Sequence, residues 1–178
     1  MVLGAGVLGH VLSHWGEICA LFDRPELATD ERFAGASILV AGPNFGTGSS
    51  REHAVWAIMD YGFEAVISPR FADIFRNNCT KNGLVPVQVP AHVGAELLEA
   101  VEADPELSIT VDVERLLVSA PALGLESPFP LDPATQQRFL EGLDDIGISL
   151  RYVDDIAGYE ANRPAWLPST AGPATAGR

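Results

Sequence analysis

Two cysteines among 178 residues are too few for a disulfide framework, and Cys19 and Cys79 alone cannot hold an iron–sulfur cluster or a zinc ion. Lysine is almost missing: Lys81 is the only one among eleven basic residues, and these face 24 Asp plus Glu. The resulting net charge of −13 argues against a surface that tracks nucleic-acid phosphates, and equally against one that docks on an anionic membrane. Long apolar runs are missing too. The opening stretch MVLGAGVLGHVLSHWGEICALF is interrupted by His10, His14 and Glu17 before it reaches the roughly 20 apolar residues of a membrane span. No Lys or Arg precedes Arg24, so the basic start of a signal peptide is not found and a cytoplasmic protein is expected. What is present, 47% hydrophobic and only 20% charged residues, suits a globular domain. A chain of this length can bury about two thirds of the surface its unfolded form exposes.

Short apolar runs alternate with helical patterns, the signature of an α/β domain. Strands are predicted at 37–41, 64–68, 84–89, 107–113 and 115–120, with a last short one, GISLRYV, at 147–153. Helices are predicted at 50–61, 71–79, 92–103, 133–142 and 153–161, where apolar residues recur near every third or fourth position. Asp132 followed by Pro133 reads as an N-cap and a first-turn proline. The runs LSITVDV and RLLVSA, joined around Glu114, read as a hairpin, so the sheet is expected to be mixed. Phe71, Ile74 and Phe75 are expected in the core, and Cys79 is expected as a small buried apolar residue. The tail from about 169 to 178, rich in Pro, Gly and Ala, reads as disordered.

One segment carries candidate chemistry. ILVAGPNFGTGSSREHAVWAIMDYGF runs from a buried strand through a Gly-rich turn into an amphipathic helix. Gly46 and Gly48 let a ligand approach the main chain, Ser49, Ser50, Arg51 and Glu52 open the helix, and Arg51 adds a planar fork suited to a carboxylate. The pattern fits a seat for a small carboxylate-bearing molecule. It equally fits a plain capping box, with Ser49 at the N-cap and Glu52 three residues on. His53, one turn inside, reads as a structural histidine, hydrogen-bonded to the loop. No Gly-Lys-Ser/Thr ending and no G-x-G-x-x-G occurs, which ranks nucleotide binding low. The window 51–81 holds four basic residues, Arg51, Arg70, Arg76 and Lys81, and four acidic ones, so it is neutral inside an acidic chain. Arg70 is left open between reaching a ligand and lying at a surface.

The motifs N-F-G-x-G-S-S-R-E-H-A, D-Y-G-F and F-A-D-I-F-x-N-N, in this order, resemble the 3-isopropylmalate dehydratase small-subunit family, which is similar to the swivelling domain of aconitase. The resemblance extends over about residues 33–168. It implies a three-layer β/β/α swivelling domain with a mixed sheet, preceded by an atypical segment at 1–32. It also implies a hydro-lyase that interconverts 2- and 3-isopropylmalate by dehydration and rehydration, in leucine biosynthesis. By the same resemblance, Ser49 would be the base, while Gly48, Ser50 and Arg51 would bind substrate and Glu52 and His53 would support them. This chain would bind no cofactor; the iron–sulfur cluster would belong to a large-subunit partner, and the substrate would be a small dicarboxylate. A related hydro-lyase acting on homoaconitate or citraconate, and a truncated non-catalytic subunit, are the alternatives.

The family's opening V-D-T-D-x-I-I-P strand has no counterpart in the first 25 or so residues. A truncated or replaced N-terminus is therefore expected, and loss of a core strand there would leave its neighbour as an open edge. Leu8, Val11, Leu12 and Trp15 fall at helical spacing, which suggests an amphipathic helix there instead.

Overall fold

The computed structural model describes the backbone of residues 2–9, together with residues 35–48, 51–104, 106–164 and 166–167. The chain divides into two compact units, Met1–Asp144 and Asp145–Arg178.

The first unit is built on seven strands in the order β4-β3-β2-β1-β5-β6-β7. They are β1 (Val2–Gly9), β2 (Ile38–Val40), β3 (Ala65–Ser68), β4 (Val85–Gln88), β5 (Ser108–Asp112), β6 (Leu117–Ala120) and β7 (Leu125–Pro128). Strands β1 to β4 pair in parallel, and β1, β5, β6 and β7 pair antiparallel, so the sheet is mixed as expected.

The central strand corrects the expectation for the N-terminus. Val7, Leu8 and Gly9 register against Ile38, Leu39 and Val40, while Val2 to Gly6 register against Asp112 to Ser108 on the other side. Leu8 thus lies in a strand and not in an amphipathic helix, and β1 joins the two halves of the sheet, so no open edge is left there. Val11, Leu12 and Trp15 lie outside the described residues. The local reason is compositional: VLGAGVLG is a continuous apolar run, the pattern of a strand in the middle of a sheet, and its helical spacing emerges only when residues beyond it are counted.

Alternation along the strands sorts the core into two layers. Ile38, Val40, Ala65, Ile67, Val85 and Val87 face the helix α3 (Ala91–Ala103), which buries Val93, Leu97 and Val101 against them. Leu39 and Val66 face the other way, toward α1 (His53–Tyr61) and α2 (Asp73–Asn82), in a second cluster with Ala54, Val55, Ile58, Phe75 and Cys79. A parallel half-sheet covered on both faces needs strands that are apolar throughout, and β2 and β3 are buried at every position.

The helix α4 (Pro133–Glu141) starts as its sequence indicates: Asp132 is the N-cap and accepts from the Thr135 amide at 2.9 Å. Gln136 then donates to the Val113 and Glu114 carbonyls, tying the helix to the β5–β6 turn. Ile74 departs from its expected core placement and is 53% exposed, whereas Phe71 and Phe75 are buried. A spacing of three from Phe71 does not suffice, because the helix begins only at Asp73.

In the second unit, α5 (Asp145–Ser149), a 3-10 turn at Leu150–Tyr152 and α6 (Val153–Ala161) follow one another. GISLRYV at 147–153 is therefore helical and not a strand. A seven-residue apolar run does not distinguish the two states by periodicity, and here Ile146, Leu150 and Val153 share the i, i+4, i+7 helical spacing.

Candidate functional site

The Gly-rich turn leaves the carboxyl end of β2, and a second turn, Pro69 to Ala72, leaves the carboxyl end of β3 beside it. Crevices at the carboxyl ends of parallel strands are the usual ligand positions in open α/β sheets. Backbone and side-chain bonds join the two turns. The Ala41 amide donates to the Ile67 carbonyl at 2.8 Å, the Phe45 amide to the Arg70 carbonyl at 3.0 Å, and the Ala72 amide to the Phe45 carbonyl at 2.9 Å. Phe45 and Phe71 thus form a parallel bridge outside the main strands.

Beneath the loop three rings pack: Phe45 meets Phe75 edge-on at 5.3 Å and Phe71 edge-on at 6.4 Å, while Phe71 and Phe75 stack at 6.3 Å. Gly46 crosses this cluster with φ +82, and a Cβ there would stand 2.8 Å from Phe75 Cδ1. Two independent constraints, the backbone sign and the lack of room, therefore demand glycine at 46. Asn44, with φ 65, turns the chain just before it.

Thr47 and Gly48 are exposed, as are Arg51, Glu52 and His53. Ser49 and Ser50 lie outside the described residues. Arg51 is engaged in an interaction within the chain. His53 lies 4.8 Å from the Trp56 ring, centroid to centroid, and Trp56 in turn donates its indole N–H to Asn82 Oδ1 at 2.8 Å. A contact with Trp56, its neighbour three residues on in α1, is the structural feature of His53.

The helix α1 starts later than the capping-box reading expects. Its first residue is His53, its N-cap is Glu52, and no side-chain capping bond is made there. Arg51 and Glu52 belong to a bend and a turn, so the loop runs on past the motif. The Ala54 and Val55 amides are already directed to the Arg51 and Glu52 carbonyls. An anion at this end would therefore be held by amides that precede Ala54.

The four basic residues of the 51–81 window separate into two places. Arg51 and Arg70 lie on the two joined turns, and both are exposed. Arg76 and Lys81 instead line a cleft of about 430 Å³ with Asp132, Thr135 and Arg138, and Arg76 donates to the Pro130 carbonyl at 3.3 Å. Cys79 is fully buried, and burial pushes its thiol up. Among the described residues no three His, Cys, Asp or Glu side chains are grouped as a metal site. No helix among them is long and apolar enough to cross a membrane.

Sequence reasoning did not single out Ser68, the last residue of β3. Its side chain is fully buried, and its hydroxyl lies 2.8 Å from the Gly42 carbonyl and 2.9 Å from the Arg70 carbonyl. A polar residue closing an otherwise apolar strand, EAVIS, was the available signal.

The pattern that defines the aconitase C-terminal domain matches residues 22–92. The chain is 61% identical over 137 residues to the 3-isopropylmalate dehydratase small subunit of Frankia alni, an alignment covering 77% of this chain and 69% of that protein. It is 48% identical over 170 residues to the 3-isopropylmalate dehydratase small subunit of Salinispora tropica, covering 96% and 84% respectively. The crystal structure of 3-isopropylmalate dehydratase from Methanocaldococcus jannaschii superposes with a TM-score of 0.55 at 22% identity, over 92% of this chain and 100% of that one, a likeness of fold. On the extent and identity of these matches, the chain belongs to the 3-isopropylmalate dehydratase small-subunit family.

Proposed function

We propose that this chain is the substrate-recognising small subunit of a cytoplasmic two-chain hydro-lyase that interconverts 2-isopropylmalate and 3-isopropylmalate. The observation that carries the reading is the start of the N-F-G-x-G-S-S-R motif, Asn44 to Gly48, which leaves the carboxyl end of a parallel strand on a turn backed by three phenylalanines. The names of its relatives supply the reaction, and the term small subunit supplies the expectation of a larger partner.

In this reading Ser49 takes the proton from the carbon beside a substrate carboxylate, and hydroxide departs from the neighbouring carbon to leave isopropylmaleate. Water then returns with its hydroxyl on the other carbon and its proton delivered from Ser49. Gly48 gives the substrate access to the backbone, and Ser50 and Arg51 hold a carboxylate, Arg51 through its planar fork. Glu52 and His53 support the loop where it enters α1. An ordinary serine hydroxyl is a very poor base at neutral pH, so Ser49 depends on nearby amides and on Arg51 to stabilise the alkoxide. An iron–sulfur cluster held by the large subunit would supply Lewis-acid activation of the departing hydroxyl.

The open exposure of Gly48, Arg51, Glu52 and His53 supports a half-site that a second chain completes. Replacing Ser49 with Ala tests the assignment. In the two-subunit complex turnover is expected to fall by at least about 10²-fold, with assembly unchanged. Near-normal turnover removes Ser49 from the base role.

A further inference from the structure

Ser68 is fully buried at the end of a strand whose other residues, Ala65, Val66 and Ile67, are all apolar and buried. Burying a hydroxyl in such surroundings costs stability unless it is hydrogen-bonded. Its bonds are spent on the loops and not on the sheet. The hydroxyl proton faces two carbonyls, Gly42 at 2.8 Å and Arg70 at 2.9 Å, and the oxygen also accepts the Arg70 amide at 3.3 Å. Gly42 begins the turn that leads to Gly48 and Arg51; Arg70 lies on the neighbouring turn.

The turn that Ser68 opens is also fixed from behind. Pro69 restricts Ser68 to extended backbone and packs against Gly94 of α3, where a Cβ would stand 2.6 Å from Pro69 Cγ. The Arg70 carbonyl that Ser68 touches also receives the Phe45 amide, one residue before the constrained Gly46. Ser68 thus bonds to both turns, and its anchor is the sheet and α3.

We propose that Ser68 is a positioning residue for the reaction: its hydroxyl holds the Gly-x-Gly-Ser-Ser-Arg loop in register with the Arg70 turn, and so sets where Ser49 and Arg51 meet substrate. The proposal rests on the hydro-lyase reading given above. A misplacement of about 1 Å at a reacting group costs on the order of 10²-fold in rate, which makes a buried clamp of this kind visible in kcat.

The test uses the full chain reconstituted with its large subunit, in three forms: unaltered, Ser68→Ala and Ser68→Cys. Cysteine keeps a heavy atom at the γ position but is larger and a weak donor, so recovery by it would point to filling of the site and not to hydrogen bonding. Both variants are expected to lose about 10- to 100-fold in kcat, measured well below their unfolding midpoints, with the affinity for the large subunit unchanged. Normal kcat in both variants, with only a lowered midpoint, assigns Ser68 a purely structural role and overturns the proposal. Recovery of kcat by Cys but not by Ala assigns it to packing and also overturns it. If the unaltered pair itself fails to turn over isopropylmalate, it is the hydro-lyase reading that fails. The clamp is then judged by amide exchange of residues 42–48, which Ser68→Ala is expected to accelerate and which an idle hydroxyl would leave unchanged.

Discussion

Gly46→Ala perturbs the site's foundation at one atom, and its cost can be worked in two parts. The backbone part arises because φ is +82, a left-handed value that costs an L-residue about 1–2 kcal/mol. The packing part arises because the new Cβ would stand 2.8 Å from Phe75 Cδ1, in a cluster where Phe75 is 1% exposed and cannot swing away; such overpacking costs about 1–3 kcal/mol. Together the expected loss is about 2–5 kcal/mol, or very roughly 4–20 °C in the unfolding midpoint of a chain this size. Gly83→Ala is the control. Gly83 ends α2 with φ +94 but has nothing within 4 Å of its added Cβ, so only the backbone part applies. Urea unfolding followed by far-ultraviolet circular dichroism should place Gly46→Ala below Gly83→Ala by about 1–3 kcal/mol, the packing share alone. A Phe75→Ala background should shrink that gap, since it removes Cγ and Cδ1, two of the three atoms that the added Cβ would meet. Equal losses at the two glycines would refute the view that the loop is seated on the phenylalanine cluster.

Two further expectations follow from ionisable groups. Burial pushes the Cys79 thiol above its ordinary value of 9.0, so above that pH the unfolded chain releases a proton that the native one retains. Stability is then full below about pH 9 and falls by about 1.4 kcal/mol per pH unit beyond it; Cys79→Ala should flatten this slope, and an unchanged slope would contradict the burial. The Asp132 carboxyl is held below its ordinary 3.8 by hydrogen bonding from Thr135, so its contribution is present at neutral pH and lost as the pH falls through the lowered value. Asp132→Ala should cost about 1 kcal/mol at pH 7, with a difference that shrinks in acid; a constant difference would show that the cap is not made by the ionised carboxylate.

Much of the fold was legible because its elements carry redundant signals. The apolar runs at 38–40, 65–68 and 85–88 must be strands of a twice-covered sheet, and Asp132–Pro133 marks a helix start by both cap and ring. Where only one signal was present, the reading failed. GISLRYV offered β-branched and aromatic residues but no flanking turn, and it is helical. VLGAGVLG resembled no known opening strand of its family, yet it pairs on both sides in the sheet. β7, Leu125–Pro128, carries a proline and alternates only twice, which left it below notice. At the loop, the need for glycine at 46 was readable from the motif, but the seat beneath it was not. Phe45, Phe71 and Phe75 come together only through the bridge between two turns, and Ser68 acquires its partners only when β2 and β3 lie side by side.

The central claim is that this loop completes a dicarboxylate hydro-lyase site with a second chain. Its most direct test is an anaerobic assay of the 178-residue chain mixed with a cluster-loaded large subunit from the same source, following isopropylmaleate absorbance after 3-isopropylmalate is added. The account predicts turnover that requires both chains and disappears with Ser49→Ala. A pair that assembles yet forms no isopropylmaleate, under conditions where a relative's small subunit with the same large subunit does, would contradict it.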